Sequence, residues 1–385
     1  MHAPLECQRD QFDLDPDHVW LNSAYMGPLP RATVQAGQRA LQARAFPAGI
    51  TPADFFEPAE RTRRLLAGLV NADAEQVAFI PTAAYGTAIV ARQLSPVAGA
   101  NVVMLGDQFP SNVYPWRRWR EHGVQMRMVA APPPGADRLA RWHEALLAAI
   151  DERTMLASIE QAHWTDGSLF DLVRIGAHCR HHDVPLAIDA TQTVGAMPLD
   201  VAAVRPDALI VHSYKSMLSN YGLGFAVLGG RFANGEPLEE SWLMRAGSED
   251  FSALVDYQDD YAAGMRRFDT SLRANPMLIA MLEASATLLQ QWQPARIRDY
   301  LLRIERPFVA RLRDAGFGVA DEGERAANLF GLRLPQGLDA QACRAALAAR
   351  NIHVSVRGAS VRVAPHVYND EADLMRLADV LEGMV

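Results

Sequence analysis

Ala208-Leu-Ile-Val-His-Ser-Tyr-Lys215 is an apolar run that stops abruptly at a basic residue, and Val184-Pro-Leu-Ala-Ile-Asp189 ends the same way at an acid. Short apolar runs bounded by polar residues read as buried strands. Two such strand ends on one side of a sheet offer an amine and a carboxylate together. A lysine able to form a Schiff base, with a carboxylate placed against a pyridinium nitrogen, is what pyridoxal 5′-phosphate asks of a protein.

Working outward, further apolar runs alternate with helical patterns. The expected strands are 77–80, 101–105, 124–129, 154–159, 184–188, 207–212 and 223–228. Alternation of this kind predicts an α/β fold, a mainly parallel seven-stranded sheet covered by helices. Upstream, Val19-Trp20-Leu21-Asn22-Ser23-Ala24 reads as extended, Gly27-Pro28-Leu29-Pro30 as a turn, and 31–44 and 58–71 as helices. Downstream, a long helix at 276–293 leads to helical 298–315, a strand at 328–334 and a helix at 338–349. Strands at 352–356 and 360–364 and a helix at 370–384 follow. That second set forms a smaller α+β domain. The expected division is 1–30, a segment packing on the small domain; 31–275, the large cofactor-binding domain; and 276–385, the linking helix and small C-terminal domain.

Of the 385 residues 49% are hydrophobic and 21% charged, enough apolar material for a large core. A net charge of -8 gives no bias toward nucleic acid, and Arg117-Arg118-Trp119-Arg120 reads as a solvated helix face. No apolar stretch reaches the length of a membrane span. Residues 1–10 lack the apolar core of a signal peptide. Cys7, Cys179 and Cys343 are too few and too scattered for a disulfide framework, and a reducing cytoplasm fits them. No metal site is expected.

The cofactor makes further demands. Gln192, three residues past Asp189, can donate to the ring hydroxyl oxygen. For the phosphate, Pro81-Thr82-Ala83-Ala84-Tyr85-Gly86-Thr87 follows a strand and opens a helix, exposing amides at the positive end of the helix dipole. His212 and Tyr214 add side-chain donors just before the lysine. Each piece alone has an ordinary reading as a cap, a turn or a surface residue; the order and spacing carry the argument.

In these residues the chain resembles the class V branch of the fold-type I pyridoxal-phosphate enzymes, which includes cysteine desulfurases, kynureninases and small-substrate aminotransferases. The resemblance covers about residues 18 to 382. It rests on Asp189-Ala-Thr-Gln192 and on His212-Ser-Tyr-Lys215. It implies that Lys215 is the Schiff-base lysine and general base and Asp189 the pyridinium partner. Gln192 becomes the ring-hydroxyl contact and Phe109 the stacking ring, with His212, Tyr214, Ala84 and Tyr85 near the phosphate. It implies Arg362, in Val361-Arg-Val-Ala-Pro-His-Val-Tyr-Asn369, as the anchor of the substrate carboxylate, a role suited to a planar guanidinium. Asn22 is placed beside that carboxylate. The resemblance also implies that Asn275 reaches the partner's phosphate in a homodimer with sites at the interface, with Trp242 a looser candidate there. His163, at a strand end, is a candidate for the substrate side, against the commoner role of a histidine hydrogen-bonded in place.

Two features point to the kynureninase side: Phe109-Pro110-Ser111, where desulfurases carry histidine, and Trp164-Thr-Asp-Gly-Ser-Leu-Phe-Asp171. Against it, the chain is short for a kynureninase and Ser241-Trp242-Leu243-Met244-Arg245 departs from the family string. Cys343 lies in a helical pattern rather than on a mobile loop, which argues against desulfurase chemistry. The expected activity is an aminotransferase or a β-carbon lyase acting on a small α-amino acid. A racemase or epimerase, or a catalytically silent binding protein of the same fold, is the alternative.

Overall fold

The structure is a computed structural model and describes residues 3–135, 137–358 and 360–385. Strand β1 (Val19–Trp20) lies outside the main sheet. That sheet consists of β2 (Val77–Ile80), β3 (Asn101–Leu105), β4 (Gln125–Val129), β5 (Thr154–Glu160), β6 (Leu186–Asp189), β7 (Ala208–His212) and β8 (Gly224–Leu228). Their order is β2-β8-β7-β6-β5-β3-β4. Strand β8 runs antiparallel to both its neighbours, and the other pairings are parallel. Strands β2, β3, β7 and β8 are buried along their whole length, as strands covered on both faces must be.

Each expected strand has its counterpart, shifted by no more than a residue or two. The expected start at Val184 moves to Leu186 because Pro185 has no amide to give to the ladder. Helices α1 (Arg31–Arg44) and α2 (Glu57–Leu69) are where the sequence puts them. Helix α2 stops at Leu69, short of the expected end at 71, because Asn71 takes a left-handed conformation, φ 51°. Helix α3 (Ala83–Gln93) follows β2. The helix Pro276–Trp292 packs on α1 and α2, with Thr33 Oγ1 and Ser285 Oγ 2.8 Å apart at the contact.

The small sheet contains β9 (Phe330–Arg333), β11 (Ser355–Arg357) and β12 (Ser360–Val363), in the order β11-β12-β9. The single strand expected at 352–356 is divided. Its first part, β10 (Ile352–His353), pairs in parallel with β1, and the part after Val354 joins β12 instead. One apolar core runs from one face of the large sheet into the small one, and a second covers the opposite face.

A buried charge cluster fixes β2. Asp269 Oδ1 accepts the Phe79 amide at 2.8 Å, and its carboxylate holds Arg63 at 2.7 Å and Arg273 at 3.0 Å. Arg63 also donates to the Val77 carbonyl, and both Arg63 and Asp269 are fully buried.

The N-terminal segment threads between the two sheets. Ser23 N donates to Ala364 O at 3.1 Å and Gly27 N to Tyr214 O at 2.9 Å. A Cβ on Gly27 would stand 2.2 Å from the Lys215 carbonyl oxygen, so only glycine permits this approach.

Candidate active site

The large sheet brings several strand ends to one side, the crevice at which open α/β sheets bind ligands. A cavity of about 200 Å³ lies there, lined by Thr82, Ala83, Ala84, Phe109, Glu160, Trp164, Asp189, Gln192, His212, Tyr214, Lys215 and Tyr221 among others. Clefts of about 550 and 700 Å³ elsewhere contain neither the lysine nor Asp189.

Lys215 follows β7 by a tight turn in which Leu218 N donates back to its carbonyl at 3.0 Å. Leu218 is held at φ 55°, a strained conformation for a bulky residue. The Lys215 side chain is buried, and its Nζ lies 5.1 Å from the centre of the Phe109 ring. Burial lowers its pKa to about 8, against the opposing pull of Asp189. Asp189 ends β6. Its Oδ2 accepts from Asn112 Nδ2 at 2.8 Å and its Oδ1 from the Thr191 amide at 2.9 Å, so its orientation is fixed from both sides. Gln192 has a buried Oε1 with no partner.

At the start of α3, Thr82 Oγ1 caps the Tyr85 amide at 3.1 Å, and the Gly86 amide goes to Thr82 O. The earlier amides, of Ala83 and Ala84, are the orphan donors that a helix start leaves, and both residues line the cavity. His212 is packed edge-on against Tyr214 at 4.5 Å and Tyr221 at 4.7 Å. Burial, with Lys215 nearby, lowers its pKa to about 4, so the ring is neutral. Its Nε2 accepts the Gly222 amide at 3.3 Å, which puts the ring proton on Nδ1.

Arg362 lies beside this cavity rather than in its wall. It is 1% exposed, and its Nη1 donates to Trp164 O at 2.8 Å. Its Nε and Nη2 are buried without a partner, a fork left open for an anion. Burial, and then Arg357, lower its pKa to about 9. Asn22 bridges to Ala364 on the same segment, and its Oδ1 accepts from Ser355 Oγ at 2.8 Å.

Four further expected residues are not in the wall of this cavity. The Tyr85 amide is used by the cap, and the ring does not line the cavity. His163 has both ring nitrogens engaged, with Thr165 Oγ1 at 2.7 Å and Gly106 O at 2.9 Å, and packs on Trp142. Asn275 caps the helix Pro276–Trp292, its Oδ1 accepting from Met277 N at 3.1 Å and Leu278 N at 3.2 Å. Trp242 belongs to an aromatic cluster with Phe55, Phe56 and Phe251.

The structure adds Glu160, Asn112, Trp164 and Tyr221 to the site. Glu160 accepts the Phe109 amide at 2.9 Å and the Trp164 amide at 2.8 Å, tying two loops together. Its signal was present: Thr154-Met-Leu-Ala-Ser-Ile-Glu160 is a third apolar run ending in an acid. A second signal also lay in the sequence, for Lys215 is its only lysine.

The donor set fits pyridoxal phosphate. A buried amine, a doubly held carboxylate, free helix-start amides and an aromatic face surround one cavity, with the orphan Gln192 Oε1 and Arg362 fork at hand.

Known proteins agree with this fit. The chain is 26% identical to isopenicillin N epimerase of Streptomyces clavuligerus, over 99% of this chain and 98% of the relative. It is 24% identical to an uncharacterized aminotransferase of Bacillus subtilis, over 98% and 97% respectively. In fold it is similar to C-DES, solved as a mutant with glycine covalently linked to the PLP cofactor. The TM-score is 0.84 at 18% identity, over 97% of this chain and 99% of that one. It is likewise similar to a cysteine desulfurase of Thermococcus onnurineus, with TM-score 0.81 at 17% identity over 100% and 99%. The model of the aminotransferase class V family matches residues 32–378. The chain therefore belongs to the class V aminotransferase family, with the fold-type I architecture and pyridoxal 5′-phosphate as its cofactor.

Proposed function

We propose that the protein is an aminotransferase acting on a small α-amino acid, with Lys215 as Schiff-base lysine and as the proton carrier at the α-carbon. The observation that carries this reading is the placement of the Lys215 amine over the Phe109 ring. A flat group stacked on Phe109 would have that face closed by hydrocarbon, with Lys215 the base within reach of its edge. A proton taken and returned on a single face suits its relocation within the substrate-cofactor pair rather than inversion at the α-carbon.

Bound pyridoxal phosphate supplies an electron sink for the α-carbon. The chain's own residues do the rest. Asp189, held by Asn112 and Thr191, presents a carboxylate to the ring nitrogen. The Ala83 and Ala84 amides, with His212 and Tyr214, take the phosphate. The open Nε–Nη2 fork of Arg362 takes the α-carboxylate, with Asn22 alongside. Lys215, with a pKa of about 8, keeps a usable neutral fraction near physiological pH. No cysteine lines the cavity, and Cys179 and Cys343 are buried with raised pKa values, which supports a reaction without a thiol nucleophile. The exposed apolar side chains of Trp242, Phe251, Val255 and Tyr257 support a homodimer.

A second reading, an amino-acid epimerase, is favoured by the full-length similarity to isopenicillin N epimerase. One experiment separates the two. The holoenzyme is incubated in D2O with a panel of single amino acids. Transfer gives up to one equivalent of 2-oxo acid per site without a second substrate. Epimerisation gives the deuterated enantiomer or epimer, and a lyase gives multiple turnovers of a cleaved product. Because Lys215 is the only lysine, Lys215→Ala freed of amino acids and other amines should lose the cofactor's Schiff-base absorbance; a variant that keeps it under those conditions refutes the assignment.

A further inference from the structure

On the β11–β12 ribbon, Ser355 pairs with Arg362 and Arg357 with Ser360. Side chains alternate along a strand and paired residues share a face, so Arg357 and Arg362 project from the same side of the ribbon as diagonal neighbours. Trp164 joins them. Its carbonyl accepts from Arg362 Nη1, and the Arg357 guanidinium lies over its ring, 5.2 Å from the centre. The other side of the same residue faces the Lys215 cavity, where Trp164 meets Phe109 edge-on at 5.5 Å.

Neither guanidinium forms an ion pair with a carboxylate among the described residues. Arg357 Nε is buried and unbonded, as are Nε and Nη2 of Arg362. Burial lowers the pKa of Arg357, and burial, then the nearby Arg357, lowers that of Arg362. Two uncompensated cations on one face are costly to a fold and are stabilised by two anionic groups. Diagonal positions of an antiparallel pair are separated by about 7 to 8 Å. Converging side chains from such positions can grip both ends of one small molecule.

We propose that Arg357, backed by the Trp164 ring, is a distal anion subsite, and that the substrate is an α-amino acid with a second carboxylate on its side chain. The inference rests on the preceding reading, in which Arg362 takes the α-carboxylate. The chemistry needs only charge and reach at Arg357, so the ligand class is the aminodicarboxylic acids.

The test uses unreactive probes on the holoenzyme: glutarate and succinate as dicarboxylates, butyrate as the monocarboxylate, titrated calorimetrically. Wild type is expected to bind a dicarboxylate at least tenfold more tightly than butyrate. Arg357→Gln reduces that ratio to near one, whereas Arg357→Lys, which keeps the charge, retains most of it. Arg362→Gln weakens all three probes. Equal affinities in the wild type, or a ratio unchanged by Arg357→Gln, overturn the distal subsite while leaving Arg362 as the anchor. Probe affinities untouched by Arg362→Gln overturn the anchor itself, and the distal subsite with it.

Discussion

Glu160 and Asp189 are paired residues at the ends of neighbouring parallel strands, so two carboxyl groups stand side by side at the cavity. Their surroundings divide them. Asp189 is held by Asn112 and Thr191, whereas Glu160 is buried, and burial together with Asp189 raises its pKa to about 8. Glu160 therefore holds a proton at neutral pH.

This has a signed consequence for stability. Between pH 4.5 and about 8 the native state keeps a Glu160 proton that the unfolded chain has lost. The contribution is present at low pH and disappears as pH rises through that window. Glu305, buried and also raised to about 8, acts with the same sign, so a single melting profile cannot isolate Glu160. Glu160→Gln does isolate it. The variant should lose less melting temperature than wild type between pH 5 and pH 8. Parallel profiles would contradict the assignment. The amide has one acceptor oxygen for two backbone donors, so the variant is also less stable at pH 5, by about 1–3 kcal/mol.

Lys215 gives a second pH prediction. With a pKa of about 8, roughly one tenth of the amine is neutral at pH 7. In the apoprotein, acylation at this sole lysine should rise to a plateau with a midpoint near pH 8, followed by mass spectrometry of its peptide. Asp189 opposes the downward shift, so Asp189→Asn should move the midpoint to lower pH. A midpoint above pH 10 would mean that burial does not act on the amine as described.

Asn275 caps a helix, and that role is separable from any contact with a cofactor. Asn275→Ala should destabilise the apoprotein by about 1 kcal/mol, and Asn275→Asp, which keeps the capping oxygen, by much less. Denaturant titration of both variants checks this. A weakened cofactor affinity in Asn275→Asp at unchanged stability would support the role at a subunit interface.

Asp269 is the strongest structural test outside the site. Its carboxylate meets two arginines and one backbone amide, all buried. Asp269→Ala leaves Arg273 without its carboxylate and Arg63 with Glu60 alone, and should cost about 3–5 kcal/mol, read as a lower denaturant midpoint. A loss below 1 kcal/mol would show that the arginines find other partners.

The large sheet was legible because most of its strands are continuous apolar runs, and the cavity residues Asp189, Gln192, His212 and Lys215 sit at or just beyond strand ends. Strand ends on one side of a parallel sheet converge without any knowledge of packing. What escaped depended on three-dimensional neighbours. Val354 divides a strand that looks continuous in sequence, because its two parts face different partners. Glu160 carries the same sequence sign as Asp189, but its role depends on the loops of Phe109 and Trp164 closing over it. His163 illustrates the converse. Its type and position suit chemistry, and only the contacts with Thr165 and Gly106 show that both nitrogens are occupied. Arg357 is unremarkable in sequence, since its meaning comes from the register that sets it diagonal to Arg362.

The parallel pairing of β1 with β10, and the threading of Gly27 past Lys215, have a consequence in time. During synthesis, residues 19–20 emerge early and residues 352–353 late. The segment that wedges Gly27 against the lysine turn thus has its full set of partners only when nearly all the chain has been made. Contacts between segments so distant in sequence are slow to form. The pocket around Lys215 should accordingly be among the last parts of the molecule to become ordered, and a nascent chain lacking residues beyond 350 should bind no cofactor at Lys215.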